Sequence, residues 1–156
     1  MTNIEMIYRE TKMPSLRITH GTWEELQQAA KMIREQVFIQ EQNIAAEDEW
    51  DEQDEIAVHF VVYEQDQAIA TGRLLQNHSI GRVAVLKSHR GLGVGKVLMQ
   101  AVIAYAQQQQ RLFLVLSSQV HAQAFYQALG FMQEGEEYLD CGIPHIYMRL
   151  SSIKKP

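Results

Sequence analysis

The sequence has 156 residues, the length of one ordinary domain, and its 46% hydrophobic and 21% charged residues are typical of a globular protein rather than a disordered, collagen-like or coiled-coil chain. A single cysteine, Cys141, excludes an internal disulfide framework and a four-cysteine zinc site, and no apolar run reaches the roughly 18 residues of a membrane span. The 19 acidic residues exceed the 14 basic ones, and the resulting net charge of −5 argues against sequence-independent binding to nucleic acid.

The N-terminus has acidic residues early and no apolar stretch followed by small residues, so it lacks the pattern of a secretory signal. Residues 1–14 show no clear period and end at the helix-breaking Pro14. We interpret them as an N-terminal extension of a single domain at residues 15–156. Together with the lone cysteine, these features predict a reduced, cytoplasmic protein.

The first predicted elements are a strand and a pair of helices. Residues 15–20 alternate apolar and polar side chains, as a short strand does. After a turn at Gly21, Thr22 and Glu25 have the spacing of a helix capping box, and apolar residues at helical spacing predict an amphipathic helix up to about Phe38. A second short helical piece is predicted from there to Ile44.

Seven acidic residues fall within the nine residues 47–55. Two interpretations of this acidic run stay open. It is either a solvated loop kept soluble by its charge, or a negative rim that attracts a cationic acceptor such as an amine.

The sequence pattern of residues 56–116 predicts four strands of a sheet and one long helix. Strands are expected at residues 56–63, 68–75 and 80–86, and the first of them is apolar on both alternating faces, as a central strand is. Helical spacing predicts a helix over residues 94–110, and five consecutive apolar residues, 112–116, predict a buried strand of the parallel type.

The C-terminal part predicts one more helix, closed by Gly130 in a left-handed cap position, and strands at residues 131–139 and 145–150 around a turn at 141–144. The apolar face of that helix consists of Ala122, Phe125, Tyr126 and Leu129. The predicted order is therefore strand, two helices, three strands, helix, strand, helix and two strands.

The glycine-rich segment at residues 90–96, between a predicted strand and a predicted helix, carries the strongest chemical signal. It fails the dinucleotide fingerprint because Lys96 and Leu98 stand where a glycine is needed, and it fails the P-loop pattern because Val97 stands in place of Ser or Thr. Successive glycines before a helix still let backbone N–H groups converge on one anion, so a phosphate or pyrophosphate site is predicted. On this basis alone, a nucleotide-phosphate binder of unrelated fold stays open.

The pattern Arg90-x-x-Gly93-x-Gly95 resembles the acetyl-CoA pyrophosphate loop of the GCN5-related N-acetyltransferase (GNAT) family. Residues 125–131, Phe-Tyr-x-x-x-Gly-Phe, resemble a motif on a later helix of that family, and the order of elements is similar over residues 15–150. Residues 37–42, 117–121 and 142–145 resemble the bacterial ElaA/YjcF branch. The resemblance implies an α/β (α+β) GNAT fold: a mixed, mostly antiparallel sheet of about seven strands with splayed fourth and fifth strands, flanked by about four helices.

The resemblance also implies where acetyl-CoA, the cosubstrate, binds; it implies no metal. The pantetheine arm would pair with fourth-strand residues Val83, Ala84 and Val85, and Gln119 stands where many relatives carry an asparagine that hydrogen-bonds pantetheine. The residues implied for the pyrophosphate are His89, Arg90, Gly91, Leu92, Gly93, Val94, Gly95 and Lys96. For His89, an exposed turn residue is the alternative.

By the same resemblance, the hydroxyl of Tyr126 would protonate the departing sulfur of coenzyme A, a role that competes with simple core packing. His145 lies near where acceptors bind in this family, and we assign it to the acceptor site. The base is not identifiable from the sequence: the candidates are Glu41, the acidic run, His59, His121, His145 and an ordered water. His59, in a strand apolar on both faces, is interpreted as a core histidine, and Cys141 as a bystander because acetyl transfer in this family is direct.

The resemblance implies an enzyme that transfers the acetyl group of acetyl-CoA directly to a primary amine. If the acidic run attracts the acceptor, that amine is expected to be small and cationic. The alternative is an acyl-CoA-binding module that senses or scaffolds without turnover. The expected partner is an amine acceptor, either a small molecule or an exposed amine group. Binding to nucleic acid or to a membrane is not expected. The candidate assembly is a homodimer.

Overall fold

A computed structural model describes residues 15–151 and 153. The extension predicted at residues 1–14 lies outside the described residues. Within them, no helix is both long and apolar enough to cross a membrane.

Seven strands of the described chain form one mixed sheet in the order β1-β2-β3-β4-β5-β7-β6. Neighbouring strands are antiparallel except for β4 and β5, which are parallel. The strands are β1 (Leu16–Gly21), β2 (Val58–Glu64), β3 (Gln67–Leu74), β4 (Ser79–Val85), β5 (Phe113–Gln119), β6 (Met132–Asp140) and β7 (Ile143–Ser151). This sheet confirms the predicted fold class.

Within the described residues, four α-helices accompany the sheet, in agreement with the about four that the resemblance implies. They are α1 (Trp23–Arg34), α2 (Ala46–Glu49), α3 (Val94–Gln108) and α4 (Gln123–Ala128). Short 3-10 turns cover Glu52–Glu55, Lys87–His89 and Val120–Ala122. The interpretation of the acidic run as a loop is wrong, because α2 and the first 3-10 turn cover most of its residues.

The N-terminus of α1 confirms the capping box: Thr22 Oγ1 accepts from the backbone N–H of Glu25, whose carboxylate accepts from the backbone N–H of Thr22 at 2.9 Å. The predicted helix end at Phe38 is wrong. The α-helix stops at Arg34 and continues as a π-helical segment, Glu35–Glu41. There the N–H of Gln42 reaches the carbonyl of Val37 five residues back, and this wider turn keeps both Val37 and Phe38 buried.

The sheet is covered on both faces, by α3 on one and α1 on the other. Phe60 and Val62 of β2 belong to the core cluster that contains α3, whereas Val61 between them packs with α1. Because successive side chains of a strand point to opposite faces, a strand covered on both sides must be apolar throughout. The apolar pattern of β2 follows from this position.

Three predicted strand starts are wrong. β7 begins at Ile143 instead of residue 145, and the predicted first residues of β2 and β5 lie exposed outside the sheet. Leu112, predicted as the first buried residue of β5, is 80% exposed, and Ile56 is exposed ahead of β2. After α3 the chain turns with the N–H of Arg111 donating to the carbonyl of Ala106, and pairing with β7 begins only at Phe113. Leu112 therefore lies outside the sheet although it belongs to the apolar run.

The fourth and fifth strands diverge, as predicted. β4 and β5 pair only at Ser79 with Val115 and at Ile80 with Leu116. Just beyond, β4 is irregular: its register against β3 shifts near Gly72, and Arg82 takes a left-handed φ of 52°. The two strands separate from this point, and a cavity opens between their C-terminal ends.

Candidate active site

The cavity between β4 and β5 has a volume of about 780 Å³, within the range of small-molecule sites. Every residue that the sequence assigned to catalysis or cofactor binding lines it, except Leu92. Leu92 instead packs against the core cluster that contains α3. Within the described residues, no group of three or more His, Cys, Asp and Glu side chains is arranged to hold a metal ion.

The glycine-rich loop ends at the N-terminus of α3, where Gly93 is the cap residue with a left-handed φ of 92°. Among the described residues, no side chain caps the N-terminus of this helix, where the helix dipole favours negative charge. Gly91 also has a positive φ of 76°, and a Cβ built on it would meet no protein atom within 4 Å. The loop therefore fits the pyrophosphate of acetyl-CoA.

We expect Gly93→Val to weaken acetyl-CoA binding at least about tenfold, because a branched side chain would crowd the anion site at the head of α3. The positive φ also makes the substitution cost stability, about 1–2 kcal/mol. Calorimetry with acetyl-CoA and thermal unfolding measure the two effects separately.

Gly135→Val is the matched control, since Gly135 on β6 has a φ of 82° and open space around its Cβ position. It should cost similar stability and leave the affinity unchanged. Equal affinity losses in the two variants would contradict the loop assignment.

The two residues that precede Gly91 already have protein partners. Arg90 binds both carboxylate oxygens of Glu41 at 2.9 Å and donates through Nε to the carbonyl of Val85. His89 is mostly buried rather than an exposed turn residue, and its Nε2 lies 3.3 Å from Glu64. An anion bound by Arg90 would therefore compete with Glu41.

Gln119, at the end of β5, exchanges two amide hydrogen bonds with Gln42, at 2.8 and 3.2 Å. Its oxygen also lies 2.6 Å from His121 Nε2. The adjacent residues Glu41 and Gln42 thus reach Arg90 on one side of the cavity and Gln119 on the other. Helical spacing gave no sign of this bridge, because its partners are far apart in the sequence.

Tyr126 lines the cavity from α4 and is 8% exposed. Its ring contacts Phe125 and Phe131 at centroid distances of 5.0 and 6.0 Å. Burial raises the pKa of Tyr126 to about 12, so the hydroxyl keeps its proton at neutral pH. A proton donor needs this state.

His145 and His59 are both buried, but only His145 lines the cavity. His59 is held within the interior, with Nε2 2.8 Å from the carbonyl oxygen of Asp54, and burial lowers its pKa. The prediction that His59 is a core histidine is confirmed. His145 lies with Nδ1 2.7 Å from the carbonyl oxygen of Ile143.

Three of the seven acidic residues of the run, Glu49, Asp51 and Asp54, are bound in an ion network, and two of the three are buried. Glu49 and Asp54 are each 2% exposed and bind Arg34, itself 1% exposed, at 2.7 Å. Burial raises the pKa of Glu49 although Arg82 and Arg34 act in the opposite direction. These two carboxylates can be buried because guanidinium groups from other parts of the chain neutralise their negative charge.

Two further arginines complete this ion network. Arg73 of β3 binds Asp51 at 2.7 Å and Asp54 at 2.8 Å, and its hydrogen bond lowers the pKa of Asp51. Arg82, at the irregularity of β4, binds Glu49 and Asp51 at 3.2 and 3.3 Å. Three arginines therefore neutralise three carboxylates, which are not available to attract an acceptor.

The carboxylates that face the cavity outside this network are Asp48 and Asp140. They approach the rim from different elements, α2 and β6, on either side of Cys141. Partial desolvation, followed by these two carboxylates, raises the pKa of the Cys141 thiol. A protonated thiol is a poor nucleophile, which supports the bystander interpretation.

Comparison with known proteins agrees with this geometry. Residues 23–152 match the family model described as "Acetyltransferase (GNAT) domain". The chain is 39% identical over 129 residues to the uncharacterized N-acetyltransferase YjcF of Bacillus subtilis, covering 80% of this chain and 92% of that protein.

The chain belongs to the GNAT acetyltransferase family.

Two solved GNAT relatives share the fold. An acyl-CoA N-acyltransferase from Pseudomonas aeruginosa is 32% identical, with a TM-score of 0.80 over 88% of this chain and all of that one. Escherichia coli ElaA is 30% identical, with a TM-score of 0.78 over 86% of this chain and 98% of that one. These relatives support the ElaA/YjcF-like branch, and the GNAT domain described here is an acetyl-CoA-dependent acyltransferase.

Proposed function

We propose that this GNAT enzyme transfers the acetyl group of acetyl-CoA directly to a small, cationic primary amine. The observation that carries the proposal is that one cavity joins three parts: the uncapped glycine loop at α3, the separated edges of β4 and β5, and the protonated Tyr126. Acetyl-CoA supplies a thioester whose carbonyl carbon an amine can attack.

The chain's own groups have distinct tasks in this proposal. The N–H groups at the head of α3 hold the pyrophosphate, and Val83, Ala84 and Val85 line the side of the cavity that would receive the pantetheine arm. A β4 backbone N–H directed at the thioester oxygen would polarise the carbonyl, as an oxyanion hole does. Tyr126 gives its proton to the departing sulfur.

The test is thiol release from acetyl-CoA with a panel of amines, measured beside acetyl-CoA affinity. Turnover with at least one primary amine, and none without an amine, supports the proposal. Acetyl-CoA binding with no turnover on any amine would indicate a sensor or scaffold instead. Competition by ATP as strong as by coenzyme A would indicate a general nucleotide-phosphate site.

The acceptor's positive charge is proposed from Asp48 and Asp140, which face the cavity outside the ion network. We expect the double variant Asp48→Asn/Asp140→Asn to raise KM for the best cationic amine about tenfold at low salt, because two attractive charges are lost. The acetyl-CoA affinity should stay nearly unchanged, and added salt should reduce the effect of the substitutions.

The matched control is Glu52→Gln/Glu55→Gln, which removes the same charge from two exposed positions of the acidic run that do not line the cavity. Its KM should stay close to that of the unmodified enzyme. Equal KM changes in the two double variants would mean that the overall charge, rather than these two carboxylates, attracts the amine.

A further inference from the structure

His145 is held in one orientation at the side of the cavity. It is the first residue of β7 that pairs with both neighbouring strands, and it lies opposite Gln119 of β5 and Tyr138 of β6. Its ring stacks on that of Tyr138, with centroids 6.0 Å apart and planes inclined by 29°. The Tyr138 hydroxyl in turn binds Ser117 Oγ on β5.

The contact with Ile143 determines which ring nitrogen of His145 carries hydrogen. Nδ1 lies 2.7 Å from a carbonyl oxygen, which only accepts hydrogen bonds, so Nδ1 must be the donor. In the neutral imidazole, Nε2 then holds the free lone pair. The residue is 9% exposed and lines the cavity with Tyr126, so the ring is largely shielded from bulk solvent.

We propose that Nε2 of His145 is the general base that takes the proton from the acceptor amine, with its tautomer determined by the Ile143 carbonyl. This assignment rests on the proposed amine acetylation. The reacting nitrogen attacks as the neutral amine, after its ammonium proton has passed to solvent. As this nitrogen bonds to the acetyl carbon, one of its two remaining protons passes to Nε2. The bond from that carbon to sulfur breaks, and the sulfur takes its proton from Tyr126. Solvent returns the His145 proton to Tyr126, so no further reactant is needed.

Four other candidate bases are already bound to protein partners. Both oxygens of Glu41 bind Arg90, and His59 is bound to the Asp54 carbonyl outside the cavity lining. His121 also lines the cavity, but its side chain is exposed to solvent and its Nε2 contacts the Gln119 side-chain oxygen. Glu49 lines the cavity as well, but its Oε2 atom is bound by both Arg34 and Arg82, at 2.7 and 3.2 Å, so that oxygen is already engaged.

Several charged or titratable groups line the same cavity as His145 or contact its ring. β6 contributes Tyr138 and Asp140, α2 contributes Asp48, β4 contributes Arg82, and α4 contributes Tyr126. Arg82 is bound to carboxylates of the ion network, and Tyr126 is protonated.

The experiment measures kcat and kcat/KM for the best amine against pH in the unmodified enzyme, His145→Gln and His145→Ala. We expect kcat of His145→Gln to fall at least about 100-fold near pH 7, with acetyl-CoA affinity within about twofold. The loss of kcat on the acidic side of the profile should disappear, whereas the loss of kcat/KM caused by protonation of the free amine should remain. Added imidazole should partly restore kcat of His145→Ala. A side chain that only packs would show neither effect.

His20→Gln is the control, since His20 is an exposed histidine on β1 that does not line the cavity. It should keep the unmodified profile. Nitrogen NMR of the unmodified enzyme tests the tautomer without any variant, and a hydrogen on Nε2 rather than Nδ1 of neutral His145 would overturn the assignment.

Two outcomes separate this assignment from the function on which it rests. An active enzyme whose His145→Gln variant keeps its pH profile, with kcat within about threefold, would overturn the base assignment alone. An unmodified enzyme that binds acetyl-CoA yet acetylates no amine would overturn both.

Discussion

Replacing Asp54 by alanine is expected to lower the free energy of unfolding by about 3–5 kcal/mol, the cost of leaving buried charges without their partner. The carboxylate accepts hydrogen bonds from both Arg34 and Arg73, at 2.7 and 2.8 Å. Without it, two interior guanidinium groups would share too few anionic partners. For a domain of this size, the loss corresponds to a melting temperature lower by roughly 6–20 °C.

Urea unfolding at neutral pH measures this change, and Glu55→Ala is the matched control because Glu55 is an exposed acid of the same run. The control should stay within about 0.5 kcal/mol of the unmodified protein. If Asp54→Ala also stays within that margin, the carboxylate does not stabilise the fold and the ion network is structurally dispensable.

The ion network also reaches the active site. Glu49 and Arg82 belong to both, because each lines the cavity while binding the other. Arg82 lies at the irregularity where β4 turns away from β5, so its contacts attach α2 to the point at which the cavity opens. The buried charges thus help to hold the separated strands in position.

The parts of the fold that the sequence predicted depend on local signals. The capping box of Thr22 and Glu25, the alternating strands and the glycines before α3 each depend on residues within a few positions of one another. Such signals act before tertiary contacts form and can be recognised from one segment. The strand separation was different, since it came from family resemblance rather than from any local pattern.

The parts that sequence reasoning missed depend on distant partners. A dense acidic run favours a solvated segment when only its own residues are considered. Here the arginines that bind it come from α1, β3 and β4, so nothing within the run distinguishes the buried Glu49 and Asp54 from their exposed neighbours. The bridge from Gln42 to Gln119 spans 77 positions and was missed for the same reason.

Replacing Tyr126 by phenylalanine is expected to lower kcat by about 10²- to 10⁴-fold, the usual contribution of a positioned general acid. The substitution removes only the hydroxyl, so the ring contacts with Phe125 and Phe131 can remain. Acetyl-CoA affinity should therefore change little. Initial-rate thiol release gives kcat, and calorimetry gives the affinity.

The matched control is Tyr105→Phe, which removes a phenolic hydroxyl from α3 at a position outside the cavity lining. That hydroxyl accepts a hydrogen bond from Gln109, so the control includes the loss of one surface contact. Its kcat should stay within about twofold of the unmodified value, because changes away from the reacting groups alter transition-state binding little.

The identity of the leaving group separates proton donation by Tyr126 from simple packing. A thiolate of a more acidic thiol departs without needing a proton in the transition state, so an acetyl thioester of such a thiol should lose less rate from Tyr126→Phe than acetyl-CoA does. A hydroxyl that only positions the substrate would give the same loss with both thioesters. Equal losses of rate would therefore mean that Tyr126 positions the substrate. An unchanged kcat with acetyl-CoA would mean that Tyr126 only packs in the hydrophobic core.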